Sequence, residues 1–188
     1  SRTISGLYST SENKKQFKNT FMPTKNLIES VKFCQNLKKI IFAGSIEEYG
    51  KVKTPYKENS NPKPISSYGK YKLRCFKFVK KNLTKNIKFI WLRPSLMFGP
   101  NDNKKRFLGS ILYGIKNKKK IFVSLDKQTR DYLYVDDFNR FVYQNLIKKD
   151  FQNQQILNIT SENWLMLTSV LISLKKLLKG RINKYLNI

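Results

Sequence analysis

The chain has 188 residues, 40% of them hydrophobic and 13% aromatic, enough to bury the core of one compact domain and to exclude a disordered chain. Its 38 Lys plus Arg against 12 Asp plus Glu give a net charge of +26, which raises nucleic-acid binding as a function class. With no histidine and only Cys34 and Cys75, Ser-His-Asp and Cys-His hydrolytic sites are excluded and no metal centre is expected, so any general acid or base is Tyr, Lys, Asp or Glu.

The opening residues, Ser1 to Ser5, hold neither an initiating Met nor an apolar signal core, and the chain is expected to be entered midway. Apolar residues at Phe21, Leu27, Ile28, Val31 and Leu37 predict a helix over Asn19 to Leu37. Lys39 to Gly44 is a short β-rich run stopped by glycine, the form of a buried parallel strand. Glu47 to Ser67, with three prolines and two Asn, predicts a loop; Tyr68 to Leu83 predicts a helix capped by Ser66 or Ser67. A second strand follows over Ile87 to Leu92, ended by Arg93-Pro94. Beyond it the pattern predicts a helix over Lys105 to Lys116, strands at Ile121 to Val123 and Tyr132 to Val135, and a helix over Asp137 to Ile147. A strand at Gln155 to Ile159 and a helix over Leu167 to Leu178 close the chain. The longest apolar stretch, near Leu165 to Leu174, is shorter than the roughly 20 residues that span a bilayer, so no membrane association is expected. Alternating strands and helices argue an α/β fold with a parallel sheet, without internal repeat or linker.

The charge is spread along the whole chain, and only 7 of the 38 basic residues are Arg. Dedicated nucleic-acid readers concentrate charge on one element and use Arg for base edges, so no specific nucleic acid is expected, only weak polyanion binding. Cys34 and Cys75 fall in separate predicted helices and read as core residues of a reduced, cytoplasmic protein.

Tyr68 and Lys72 stand four residues apart in Tyr68-Gly69-Lys70-Tyr71-Lys72 and share one helix face. A phenol ordinarily titrates near pH 10, and a neighbouring ammonium favours its phenolate, so Tyr68 could act as acid or base. Such a spacing also arises by chance in a chain with 10 Tyr and many Lys, and Tyr49 and Lys53 form a second pair. Tyr49 follows a strand in an irregular loop and is read as the decoy.

Four segments set Tyr68 and Lys72 in a pattern: Phe42 to Gly50 (FAGSIEEYG), Pro62 to Lys72 (PKPISSYGKYK), Leu92 to Pro100 (LRPSLMFGP) and Arg130 to Asp137 (RDYLYVDD). In order and approximate spacing they resemble successive signatures of the NAD-dependent epimerase/dehydratase family, the extended short-chain dehydrogenases that act on nucleotide sugars. The resemblance implies NAD or NADP as cofactor, a nucleotide-sugar substrate and a homodimer when full length. It implies that Ser45 hydrogen-bonds the reacting sugar oxygen, Tyr68 moves its proton, and Lys72 lowers the tyrosine pKa and holds the nicotinamide ribose. Ser95 matches a position lining the cofactor, and Arg130 one that pairs with the substrate diphosphate.

Ile46 stands where the family's 4,6-dehydratases carry an Asp, so water elimination is disfavoured and 4-keto reduction or epimerisation is expected, in surface-polysaccharide or deoxysugar biosynthesis. Leu96 stands where many members carry an Asn that touches the diphosphate. No Gly-x-x-Gly-x-x-Gly loop occurs, so the expected fold is a partial Rossmann-like doubly wound sheet lacking its first βαβαβ half, about 60 residues, with part of a small C-terminal substrate domain. Residues 1–188 would form one fragment: 1–100 the C-terminal half of the dinucleotide-binding domain, 101–188 mixed substrate-domain and returning Rossmann elements. Alone it is expected neither to bind dinucleotide tightly nor to turn over; the alternatives are a basic nucleic-acid-binding protein or a non-catalytic remnant.

Overall fold

The computed structural model of the chain describes residues 10–122, 129–148, 152–177 and 186–187. Val123 and Leu178, placed in a strand and a helix from the sequence, lie outside them. The described residues fall into two compact units, one from Arg2–Ser95 with Phe138–Ile159, the other from Leu96–Asp137 with Thr160–Ile188.

The first unit is built on a three-stranded parallel sheet in the order β1-β2-β6, formed by Lys39–Ala43, Lys88–Pro94 and Gln155–Ile159. Ile41 lies opposite Ile90 across the first pair, and Leu92 opposite Leu157 across the second. β2 is the central strand, and Phe89, Ile90, Trp91 and Leu92 are buried on both of its faces, as an unbroken apolar run in a parallel sheet requires. Phe89 and Trp91 join Phe42, Phe21, Ile28, Cys75 and Val79 in one core cluster, which packs helices α2 (Met22–Ser30) and α3 (Ser67–Asn82) on the sheet. Phe42 stacks on Trp91 at 5.7 Å between ring centroids.

The helix expected over Asn19 to Leu37 differs in both bounds. It begins as α1 at Thr10–Gln16, passes through a π turn at Phe17–Phe21 into α2, and ends in a 3₁₀ turn at Val31–Phe33. The Gln16 amide donates to Glu12 and accepts the Thr20 hydroxyl, an (i, i+4) polar ladder that stabilises helix where apolar periodicity gives no sign of it. Because the helix stops at Phe33, Cys34 is exposed instead of core, while Cys75 is buried; both are free thiols.

The second unit holds β3 (Leu96–Phe98), β5 (Thr129–Tyr134) and β7 (Trp164–Met166) in one sheet, β3 parallel and β7 antiparallel to β5. Asp131 is buried there and accepts from the Ser161 backbone N–H and hydroxyl, which fixes the turn leading into β7. α4 (Phe107–Lys116), α6 (Leu167–Leu177) and the short pair β4 (Ile121–Phe122) with β8 (Leu186–Asn187) complete it, and the division between units falls within α5 (Val135–Ile147). Among the described residues no helix is long and apolar enough to cross a membrane.

Gly44, straight after β1, is held by steric need. Its N–H donates to the Leu92 carbonyl at 2.6 Å, and a Cβ there would stand 2.2 Å from Trp91 Nε1 and 2.8 Å from the Leu92 oxygen. Gly44→Ala is therefore expected to destabilise the chain by about 1–3 kcal/mol, the cost of forcing extra volume into a packed core, read from urea unfolding midpoints. An unchanged midpoint would show that β1 and β2 separate more easily than this packing allows.

Candidate active site

The C-terminal ends of parallel strands are where an open α/β sheet gathers its functional loops. Ser45 lies two residues past the end of β1, is buried, and caps a 3₁₀ turn at Ile46–Glu48. Its Oγ accepts from the Glu47 N–H at 3.2 Å, and the Glu48 carboxylate accepts from the Ser45 N–H at 2.9 Å. The turn is thus closed by a reciprocal capping box, whose sequence form is a Ser followed three residues on by Glu.

Tyr68 and Lys72 occupy the first turns of α3, half-buried. Ser66 is the N-cap, its Oγ accepting from the Gly69 N–H at 2.9 Å, and the same hydroxyl donates to the Glu47 carboxylate. Gly69 lies so close to the 3₁₀ turn that a Cβ on it would stand 2.4 Å from the Glu47 carbonyl oxygen. The start of α3 is thereby pinned against the turn that carries Ser45. Lys72 completes the arrangement: Nζ donates to the Ala43 carbonyl at 2.7 Å and lies 5.6 Å from the centroid of the Tyr68 ring. The fold therefore brings Ser45, Tyr68 and Lys72 to the end of β1, and Ser95 to the end of the neighbouring β2, where it is buried and its N–H donates to the Ile159 carbonyl at 2.9 Å. Arg130 belongs to the other unit, on β5, exposed, with Nη1 donating to the Thr129 carbonyl at 3.0 Å.

Burial pushes the Lys72 ammonium below its ordinary value of 10.5, against the upward pull of the Cys75 and Glu48 charges. A lysine whose folded value is lowered binds fewer protons folded than unfolded at pH values between the two, so stability rises with pH across that window. Wild type is expected to gain stability relative to Lys72→Met as the pH climbs toward 10.5, measured by chemical unfolding at a series of alkaline pH values. A gap between the two that stays constant would mean Lys72 titrates alike in both states.

Tyr49, the other tyrosine with a lysine four residues on, is fully buried. Its hydroxyl donates to Asn158 Oδ1 at 2.7 Å and its ring stacks on Tyr56 at 4.8 Å. Beneath Ser45 lies a group that motif reading passed over. Glu48, with no exposed surface, accepts from Arg93 Nε and Trp91 Nε1, each at 2.9 Å, as well as from Ser45. Arg93 is not the residue that ends the second strand, because β2 runs on to Pro94 and buries it with its guanidinium 4.6 Å from the Tyr49 ring centroid. The signal was present: an Arg directly after the apolar run Phe89 to Leu92 must find a buried anion, and Glu48 is in the preceding motif.

The chain shares its fold with several solved structures of nucleotide-sugar enzymes. The UDP-N-acetylglucosamine 4-epimerase of Methanobrevibacter ruminantium M1, in complex with UDP-N-acetylmuramic acid, is 22% identical with a TM-score of 0.82, over 96% of this chain and 59% of that one. The UDP-glucuronic acid 4-epimerase of Bacillus cereus, in complex with NAD, is 24% identical with a TM-score of 0.80, over 92% of this chain and 56% of that one. The UDP-glucose 4-epimerase of Thermotoga maritima, with UDP-glucose, is 23% identical with a TM-score of 0.78, over 95% of this chain and 59% of that one. This chain thus spans under three-fifths of their length. No curated protein sequence matches it. The model of the NAD dependent epimerase/dehydratase family matches residues 5–160, which include Ser45, Tyr68, Lys72, Ser95 and Arg130. On that match, which takes in both strand ends of the site and most of the chain, the protein belongs to the NAD dependent epimerase/dehydratase family.

Proposed function

We propose that this chain carries the proton-transfer part of a site that inverts a hydroxyl-bearing carbon, or reduces a keto carbon, of a nucleotide-linked sugar. The observation that carries the reading is Lys72: its ammonium is held by the carbonyl of Ala43, two residues before Ser45, and lies 5.6 Å from the centroid of the Tyr68 ring. A cation fixed there favours the Tyr68 phenolate, so the phenolate can take a proton from a sugar hydroxyl and the phenol return one to a carbonyl oxygen. Ser45 donates to the same sugar oxygen and holds it for the transfer.

The donor set fits the nicotinamide ribose of a dinucleotide. An ammonium has three N–H donors, and the Ala43 carbonyl takes one, which leaves Lys72 able to bind vicinal hydroxyls. Bound NAD or NADP would supply the hydride acceptor and donor. Ser95 would line that cofactor, and Arg130 would pair with the substrate diphosphate. The 188 residues contain no Gly-x-x-Gly-x-x-Gly turn to receive the cofactor diphosphate, and alone they neither hold the dinucleotide tightly nor turn over. Ile46 disfavours water elimination, because it supplies no acid beside Ser45, and 4-epimerisation or 4-keto reduction is the chemistry left.

The test joins the 188 residues to an N-terminal part that carries a Gly-x-x-Gly-x-x-Gly turn, giving an intact protein, incubates it with NAD and UDP-hexoses or UDP-hexuronic acids, and separately with NADH and a UDP-4-keto-hexose, and resolves the products by NMR. Interconversion of C4 epimers, or consumption of a 4-keto sugar with reduced cofactor, is expected. If every sugar nucleotide is returned unchanged, the reading is wrong. The net charge of +26 favours a second reading, nucleic-acid binding, which would show as steeply salt-dependent affinity that Tyr68→Phe leaves unaltered.

A further inference from the structure

We propose that Glu48 and Arg93 form a buried positioning pair that sets where Ser45 presents its hydroxyl, an inference that rests on the catalytic reading of Ser45 above. Three donors converge on one carboxylate that has no exposed surface. The Ser45 N–H and Trp91 Nε1 meet Oε1, and Arg93 Nε meets Oε2, all at 2.9 Å. Trp91 and Arg93 project from the same face of the central strand β2, so Glu48 ties the backbone of Ser45 to the most deeply buried part of the sheet. Water does not compete for these bonds, and a charge-assisted bond in a dry site is stronger and shorter-ranged in its tolerance than a neutral one.

Arg93 keeps the Glu48 carboxylate oriented. Its guanidinium is wedged between the Tyr49 ring, 4.6 Å away, and the Phe76 ring, 5.8 Å away, so the fork has little freedom to follow a displaced partner. The Tyr49 hydroxyl is in turn fixed by Asn158 at the end of β6. The chain of contacts therefore runs from β2 and β6 to one backbone N–H, that of Ser45, just past the end of β1. Ser45 Oγ is itself committed to the Glu47 N–H, so rotation of the 3₁₀ turn would move the hydroxyl directly.

Glu48→Gln keeps the shape but offers one acceptor oxygen to three donors. The intact protein carrying it is expected to lose about 10²-fold in kcat, the scale of a misplacement near 1 Å, with KM held within about threefold. The Ser45 amide should exchange with solvent about ten-fold faster, as loss of a bond to a charged acceptor implies, while amides of α3 keep their protection. The double variant with Ser45→Ala should be no slower than Ser45→Ala alone, because Glu48 acts through Ser45. Should Glu48→Gln fail to fold, Glu48→Met with Arg93→Met removes the ion pair without leaving a lone charge and is expected to show the same loss. An active wild type whose Glu48 variants keep kcat, keep Ser45 protection, or add their loss to that of Ser45→Ala overturns the positioning role alone. A wild type without turnover on any sugar nucleotide overturns the catalytic reading and this inference with it.

Discussion

Arg93→Met is expected to destabilise the chain by about 3–5 kcal/mol, the cost of leaving one member of a buried ion pair without its partner. Arg93 is 1% exposed and Glu48 0% exposed, so neither can recover water when the other is removed. Against a typical domain stability of about 5–15 kcal/mol, the variant should stand near its unfolding transition at room temperature. Replacing both charges by Met should recover most of the loss, because no lone buried carboxylate then remains. Equilibrium urea unfolding of the three proteins measures this directly. A single variant as stable as wild type would mean that the pair does not organise the strand ends.

Tyr68→Phe is expected to lower kcat of the intact protein by about 10²–10⁴-fold while leaving its fold unchanged, since only a proton-carrying oxygen is removed. The half-buried ring keeps its place at the start of α3 and its contact with Lys72, so thermal unfolding should barely move. Tyr49→Phe is the matched control. It removes a hydroxyl bonded to Asn158 in a fully buried setting, and should cost stability with little direct effect on the chemical step. If Tyr49→Phe were the variant that abolished turnover in a stable protein, the assignment of the two tyrosines would be reversed.

The strands β1, β2 and β6 and the helix α3 were legible because each is a short local pattern: an unbroken apolar run stopped by Gly or bounded by turns, or an apolar stripe behind a Ser cap. Ser45, Tyr68 and Lys72 could be singled out from the order of the motifs, but the reason they meet could not. Their meeting depends on Lys72 reaching Ala43 and on Ser66 bonding Glu47, contacts between residues 29 and 19 positions apart. β3 went unread because three residues give no periodicity, and its pairing with Tyr132 to Tyr134 is made far along the chain. The start of the first helix was missed for a related reason, since its first turns are held by Glu12, Gln16 and Thr20 instead of by an apolar stripe. Arg93 was read as a strand terminator next to a proline, although its place beside Leu92 in a buried run is what demands Glu48 as a partner.

The measurement that bears most directly on the catalytic reading uses a UDP-hexose carrying deuterium at its reacting carbon, turned over by the intact protein with NAD in ordinary water. On the proposed reading the site at Ser45, Tyr68 and Lys72 exchanges only the hydroxyl proton with solvent, so the carbon-bound label is expected to stay out of the water and Tyr68→Phe to slow the reaction by about 10²–10⁴-fold. Deuterium released to solvent, or turnover undiminished in Tyr68→Phe, would contradict it.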